Sequence, residues 1–151
     1  MSRRSWLIST RTGADLDARR RRVVVDASAI VNLLIDPGQR GAAVAQRLAG
    51  RTLLAPDLLP FEVANVLRRR LNGGQLSNMD AGRAFDSLRR LPIGLWPFET
   101  LAGAVWRNGH TMSSYDAAYV ALAELIDCPL VTCDARLARA PGIACTVEVF
   151  A

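Results

Sequence analysis

The fold of this chain is indicated by one short stretch, Val23-Val24-Val25-Asp26-Ala27-Ser28-Ala29-Ile30. Three consecutive β-branched residues are typical of a strand that is buried on both faces, as strands of a parallel sheet are. Residues 27–35 then have helical character, and Asp36-Pro37-Gly38 ends that helix. The stretch therefore predicts a buried strand, a helix after it, and a carboxylate, Asp26, at the junction between them.

The alternation of strand and helix continues along the rest of the chain. We predict further strands at 52–55, 93–97, 130–132 and 145–147. The predicted helices between and after them span 42–49, 57–71, 77–90, 99–108, 113–126 and 134–140. This order is typical of an α/β fold, with a central, mostly parallel sheet flanked by helices in three layers.

The positive charge of the chain is concentrated before the first strand. All nineteen basic residues are arginine, and residues 1–22 hold seven of them with two aspartates, which accounts for the whole net charge of +5. The remaining arginines and carboxylates balance. We therefore predict a flexible basic arm over 1–21 and one folded domain over 22–151. Because the excess of arginine lies in the arm, the composition does not indicate a positively charged surface on the domain.

Composition excludes several classes of site. Three cysteines without a CxxC pair and a single histidine, His110, argue against a disulfide framework or a zinc site. No stretch approaches the roughly 20 apolar residues of a membrane helix. The pair Arg3-Arg4 is similar to an export signal, but the apolar run that should follow is missing. We therefore expect a cytoplasmic protein.

Three aspartates stand where either a helix cap or a functional group is expected. Asp26 and Asp134 each follow a predicted strand directly, at the strand end where α/β sheets place their sites. Each of them could instead cap the following helix. Asp116 could likewise close a capping box with Ser113. The local pattern leaves both interpretations open.

Glu62 is less easily explained as a structural residue. It lies within an apolar stripe formed by Leu59, Val63 and Val66. A carboxylate there is costly unless it finds a partner or faces a cleft. A salt bridge with one of the nearby arginines at 68–70 is the alternative to a role in a site.

Several carboxylates in one cleft would require a counter-charge. Two unit charges roughly 4 Å apart repel by about 4 kcal/mol at an effective dielectric near 20. Divalent cations cancel this repulsion, and oxygen ligands without histidine or cysteine suit Mg²⁺ or Mn²⁺. Such ions support phosphodiester cleavage.

Four acidic segments, in their order along the chain, resemble the motifs of PIN-domain proteins, in particular the VapC toxins of bacterial toxin–antitoxin pairs. These segments are 23–30, 62–67, 115–123 and 130–134, and the third is the most specific. The resemblance runs from Val23 to Val147, which is nearly the whole predicted domain.

The resemblance implies a PIN-like three-layer fold and a Mg²⁺- or Mn²⁺-dependent endoribonuclease. The positions that match the acidic metal-site and catalytic residues are Asp26, Glu62, Asp116 and Asp134. The auxiliary positions that match are Ser28, Asn65 and Thr132. Without the resemblance, Ser28 would be an ordinary first-turn residue and Thr132 an ordinary strand residue.

The same resemblance implies partners. These are an RNA substrate, a second copy of the chain in a homodimer, and a small antitoxin. The C-terminal segment of the antitoxin would lie across the carboxylate cleft and donate an arginine or lysine.

Three other functions can be compared with the residues of these motifs. A catalytically inactive PIN fold that binds RNA or protein would be marked by loss of an acidic residue, and none is lost. A phosphatase with an aspartyl nucleophile needs a second aspartate two residues after the first, where this chain has Ser28. A Rossmann nucleotide site needs a glycine-rich turn after Val25, and this turn has no glycine.

Overall fold

The structure is a computed structural model that describes residues 13–151. The strands are β1 (Arg22–Val25), β2 (Thr52–Pro56), β3 (Ile93–Trp96), β4 (Leu130–Thr132) and β5 (Val147–Val149). The helices are α1 (Gly13–Arg20), α2 (Ala27–Ile35), α3 (Gln39–Leu48), α4 (Leu59–Asn72), α5 (Asn78–Arg90), α6 (Phe98–Asn108) and α7 (Ser114–Ile126). A single 3₁₀ turn, Leu137–Arg139, lies between β4 and β5.

The five strands form one sheet in the order β3-β2-β1-β4-β5, and all four pairings are parallel. β1 is central, with Val24 opposite Leu54 of β2 and Leu130 of β4. The helices α2, α4 and α5 pack against one another, and α6 packs against α7. The predicted three-layer α/β fold with a parallel sheet is confirmed. Because the strands are parallel, Asp26 and Asp134 follow neighbouring strands at the same edge of the sheet.

The core is built on β1 and α7. The side chains of Val23, Val24 and Val25 are fully buried, and complete burial of such a side chain contributes about 1.5 to 3 kcal/mol. In α7 every residue from 117 to 123 is buried, and most of them are small. This composition lets α7 lie directly on the sheet, where it contacts β1, β2 and β4.

The first element differs from the sequence prediction. Gly13–Arg20 is helical, although we predicted a flexible arm over 1–21. Arg19 and Arg20 lie in the last turn, where cations interact favourably with the helix dipole. A helix stabilised in this way need not show a periodic pattern of apolar residues, and no such pattern is present here. The rest of the predicted arm, residues 1–12, lies outside the described residues. The division into an arm and a domain stays a prediction.

Three later boundaries also differ. Residues 134–140, predicted as a helix, contain only the 3₁₀ turn. The last strand lies at 147–149 instead of 145–147, because its position is set by pairing with β4. The helix predicted over 57–71 begins two residues later, at Leu59. Asp57 instead extends the pairing of β2 with β3, because its N–H donates to the carbonyl oxygen of Trp96 at 2.8 Å.

The helices are short. α4, with 14 residues, is the longest of those described. Over residues 13–151 no helix combines the length and the apolar character that crossing a membrane requires.

The corner between α2 and α3 depends on a glycine. Both oxygens of Asp36 accept hydrogen bonds there, from the N–H of Gly38 at 2.8 Å and of Gly41 at 3.2 Å. A Cβ on Gly41 would lie 1.9 Å from the carbonyl oxygen of Asp36. The end of α2 and the start of α3 can therefore pack this closely only because residue 41 has no side chain.

We predict opposite effects of alanine at two helical glycines. Gly41→Ala should lower the free energy of unfolding by about 1 to 3 kcal/mol, because the new methyl group overlaps backbone. Gly82→Ala, in α5, meets nothing within 4 Å and should raise it by roughly 0.5 to 1 kcal/mol. Urea denaturation of both variants would show whether their free energies of unfolding change in opposite directions. A Gly41→Ala protein as stable as wild type would contradict the account of the corner.

Candidate active site

Asp26 is held through both carboxylate oxygens. Oδ1 accepts hydrogen bonds from the Ser28 hydroxyl at 2.7 Å and from the Ala29 N–H at 2.9 Å. Oδ2 accepts from the Thr132 hydroxyl, at the end of β4, at 2.5 Å. The helix-cap interpretation is therefore correct, since Asp26 is the N-cap of α2. The cap uses one oxygen only, and the other is held by a different strand.

The environment of Asp26 disfavours a charge. The residue is 7% exposed, and burial raises the pKa of its carboxyl group. The hydrogen bonds from Thr132, Ala29 and Ser28 oppose this shift, and the charge of Asp134 adds to it. Among the salt bridges of the described residues, none includes Asp26. An ionised Asp26 is thus a buried anion without a cation from the described part of the chain.

Two hydroxyl groups join the loops after β1 and β4. The Ser28 hydroxyl accepts from the N–H of Cys133 at 2.8 Å, and the Thr132 hydroxyl accepts from the N–H of Asp134 at 2.9 Å. Since both also donate to Asp26, each hydroxyl links the two strand ends. Ser28 lies in the first turn of α2 and Thr132 ends β4, as the local pattern predicted, and each of them also donates a hydrogen bond to Asp26.

Glu62 is held by a tyrosine. It lies in the first turn of α4, and its Oε2 accepts a hydrogen bond from the Tyr119 hydroxyl of α7 at 2.5 Å. Burial raises the pKa of Glu62, the bond from Tyr119 lowers it, and the charges of Asp26 and Asp116 raise it. The alternative of a structural salt bridge is not what the described residues show, because the partner is a neutral phenol.

Tyr119 is a residue of this region that the sequence pattern did not single out. It lies among the apolar residues of α7 and is 2% exposed. A signal was present, since a buried tyrosine hydroxyl normally requires a hydrogen-bond partner. Glu62 was the carboxylate that lacked one.

Asp116 and Asp134 share one arginine. Asp116 lies in the first turn of α7, and its N–H donates to the Ser113 hydroxyl at 3.1 Å, which is the N-cap half of the predicted capping box. The Nη2 of Arg136 lies 3.0 Å from Oδ2 of Asp134 and 3.6 Å from Oδ2 of Asp116. Partial burial alone would raise the pKa of Asp134, but the hydrogen bonds and charge of Arg136 lower it overall.

The four predicted carboxylates influence one another without touching. The charge of Asp134 raises the pKa of Asp26, and the charges of Asp26 and Asp116 raise the pKa of Glu62. Over residues 13–151, no three histidine, cysteine, aspartate or glutamate side chains stand close enough together to hold a metal ion. Repulsion between like charges favours such spacing.

Asn65, a predicted auxiliary residue, lies apart from this network. It is exposed on α4, three residues after Glu62. No hydrogen bond in the described part of the chain joins its side chain to another predicted site residue.

The atoms around the carboxylates that could bind a metal ion are mainly carboxylate and hydroxyl oxygens. Cys133, the sulfur next to the network, is a poor metal ligand at neutral pH, because burial raises the pKa of its thiol to about 11. Carboxylate and hydroxyl oxygens are the ligands that Mg²⁺ and Mn²⁺ prefer. The chemistry of the donor set therefore fits a hard divalent cation.

A comparison with known families identifies the chain. The model of the PIN domain matches residues 23–143, the span that contains all four acidic segments. The chain belongs to the PIN-domain family. Ribonuclease VapC9 of Mycobacterium tuberculosis is 38% identical over 127 residues, which are 84% of this chain and 97% of that protein. The predicted VapC-type relationship is confirmed.

Solved structures agree on the fold. PAE2754 of Pyrobaculum aerophilum has a TM-score of 0.59 and 23% identity, and the match covers 85% of this chain and 83% of that one. VapC20 of Mycobacterium tuberculosis, described as a toxin that cleaves the sarcin–ricin loop, also has a TM-score of 0.59. It is 14% identical, with 77% of this chain and 92% of that one covered.

We predict that Asp26→Asn stabilises the metal-free protein. Asparagine caps a helix about as well as aspartate, so its oxygen keeps the bonds from Ala29 and Ser28 and its amide nitrogen would donate to the Thr132 hydroxyl, while a buried charge and its repulsion by Asp134 are removed. The gain should be ~1 kcal/mol, or a few degrees in melting temperature. The measurement is thermal denaturation in a chelator. The matched control is Asp80→Asn, an exposed first-turn acid of α5, which should show no gain. Equal melting temperatures for all three proteins would contradict the electrostatic argument.

Proposed function

We propose that this protein is a metal-dependent endoribonuclease that hydrolyses RNA phosphodiester bonds and acts as the toxin of a toxin–antitoxin pair. Its family and the names of its relatives support this function, since the match with Ribonuclease VapC9 spans nearly the whole of that protein. The activity would belong to residues 22–151.

One observation carries the proposal. Asp26 is an almost fully buried carboxylate whose two oxygens are oriented by groups from two neighbouring strand ends. A helix cap needs neither that burial nor the bond to Thr132. An acid kept under such a desolvation cost, without a cation from the described residues, is suited to bind an external cation.

The four carboxylates Asp26, Glu62, Asp116 and Asp134 are the groups that would hold Mg²⁺ or Mn²⁺, after a closer approach to one another than the described residues show. Once bound, such an ion offsets the negative charge of the scissile phosphate and lowers the pKa of a coordinated water. Asp26 contributes the most rigid oxygen atoms, since Ser28, Ala29 and Thr132 restrain it.

The residues of the chain also supply orientation and a proton acceptor. The Tyr119 hydroxyl fixes one oxygen of Glu62, and the other accepts no hydrogen bond from the described residues. Because burial raises the pKa of Glu62, its carboxylate is a stronger base than an exposed one and is suited to take a proton from an attacking water. Asn65, exposed three residues further along α4, would contact the substrate.

A second candidate function is a catalytically inactive PIN fold that binds RNA or protein. The wide spacing of the carboxylates and the pairing of two of them with Arg136 favour it. Retention of all four acids favours the enzyme, since a binding module would need Asp26 only as the N-cap of α2.

The proposed partners follow from the family. We infer a small cognate antitoxin that donates an arginine or lysine from its C-terminal segment to the anionic cleft. Co-expression with the adjacent small reading frame should yield a stable complex that lacks nuclease activity, and loss of the complex in high salt would reflect its ionic part. The homodimer and the cytoplasmic location stay predictions.

Cleavage of a synthetic RNA tests the proposed activity. The wild-type protein should cut it with Mg²⁺ or Mn²⁺ and not in a chelator. Asp26→Asn should slow cleavage by about 100-fold or more, because the loss of a ligand charge removes several kcal/mol of stabilisation.

The control Asp80→Asn makes the same chemical change at a helix start outside the site, and should cut at the wild-type rate. Cleavage by Asp26→Asn at that rate would reject the proposed site. If no protein cuts RNA but all bind it, the inactive module is the better description.

A further inference from the structure

Arg136 occupies a position that the proposed mechanism does not use. One guanidinium nitrogen, Nη2, approaches carboxylates from two different elements, Asp134 after β4 at 3.0 Å and Asp116 of α7 at 3.6 Å. Among the described residues it is the only arginine in a salt bridge with any of the four acids. The chain therefore places its own cation between two proposed metal ligands.

The burial of the three side chains is unequal. The Arg136 side chain is 74% exposed, whereas those of Asp116 and Asp134 are 24% and 36% exposed. An exposed guanidinium can exchange its ion pairs for water at little cost, because surface ion pairs contribute little to stability. The half-buried acids are anchored in α7 and in the loop after β4. Of the three groups, the arginine is the one that can leave.

Departure of the guanidinium would leave Asp134 oriented. Its Oδ1 accepts a hydrogen bond from the backbone N–H of Arg136 at 2.8 Å, and that bond does not depend on the arginine side chain. The backbone N–H of Asp134 stays bound to the Thr132 hydroxyl. The carboxylate is thus held in place by the backbone while its charge is neutralised by a movable group.

We propose that Arg136 is a displaceable counter-cation, which neutralises Asp116 and Asp134 in the metal-free protein and competes with the divalent ion for them. The proposal rests on the proposed function, because it takes these two acids as metal ligands. Arg136 would set the metal concentration at which the site fills, and it would stabilise the protein below that concentration. It is a positioning residue and not a catalytic one.

Direct measurement of Mn²⁺ binding tests the proposal without RNA. Titration calorimetry would compare the wild-type protein with Arg136→Gln and Arg136→Lys at one ionic strength. Arg136→Gln should bind Mn²⁺ roughly two- to fivefold more tightly, the range expected for loss of an exposed competing ion pair. Arg136→Lys keeps the charge and should bind close to the wild-type level.

Arg139→Gln is the matched control. Arg139 lies in the same 3₁₀ turn and lines the same cavity of about 290 Å³ beside Asp116, but it forms no salt bridge among the described residues. Its loss changes the net charge equally, so its effect on Mn²⁺ binding should be less than about half that of Arg136→Gln.

Melting temperatures provide a second readout. Without metal, Arg136→Gln should melt below Arg139→Gln, and it should gain more from saturating Mn²⁺, because that gain reflects binding to the folded state. Equal Mn²⁺ affinities for the two glutamine variants would overturn the proposal. So would weaker binding by Arg136→Gln, which would make the arginine a support for the ligands.

These results separate the two proposals. If Arg136→Gln binds Mn²⁺ more tightly but no variant cuts RNA, the counter-cation stands and the nuclease assignment fails. If the wild-type protein cuts RNA but both glutamine variants bind Mn²⁺ alike, the nuclease stands and the counter-cation fails.

Discussion

The candidate site depends on the hydrogen bond between the Thr132 hydroxyl and the buried carboxylate of Asp26. This bond connects the carboxyl ends of β1 and β4, two strands that are 106 residues apart at these positions. The Ser28 hydroxyl doubles the connection through the N–H of Cys133. Because β1 and β4 are paired in parallel in the centre of the sheet, the connection is short and rigid. Asp26 can therefore remain buried and still be fully hydrogen-bonded.

The structural and functional interpretations of Asp26 are compatible. As the N-cap of α2, the residue supports the helix that follows β1 through one oxygen. The second oxygen faces β4 and the region of the other acids. The fold obtains a helix start and a positioned anion from one side chain. The cost is a buried negative charge for which the described part of the chain supplies no ion pair, and an external cation would compensate that charge.

Two kinds of group interact with the carboxylates at this edge of the sheet. On the side of Asp26 and Glu62, neutral hydroxyls of Ser28, Thr132 and Tyr119 donate hydrogen bonds and leave the negative charge in place. On the side of Asp116 and Asp134, the exposed guanidinium of Arg136 offsets the charge. Hydroxyls orient a ligand permanently, whereas an exposed cation can be replaced. A site with both has a fixed part and an adjustable part.

Local patterns in the sequence predict the layers of the fold and the order of the acids along the chain. A β-branched run that ends in aspartate predicts a buried strand followed by a capped helix, because strand burial and helix capping are local properties. The cap at Ser113 was predicted for the same reason. The bond from Tyr119 to Glu62, the position of Arg136 between two carboxylates and the start of β5 are instead set by tertiary contacts. Contacts between separate helices and strands produce no periodic pattern of residues in the sequence, because they depend on how α4, α7 and the loop after β4 are arranged on the sheet.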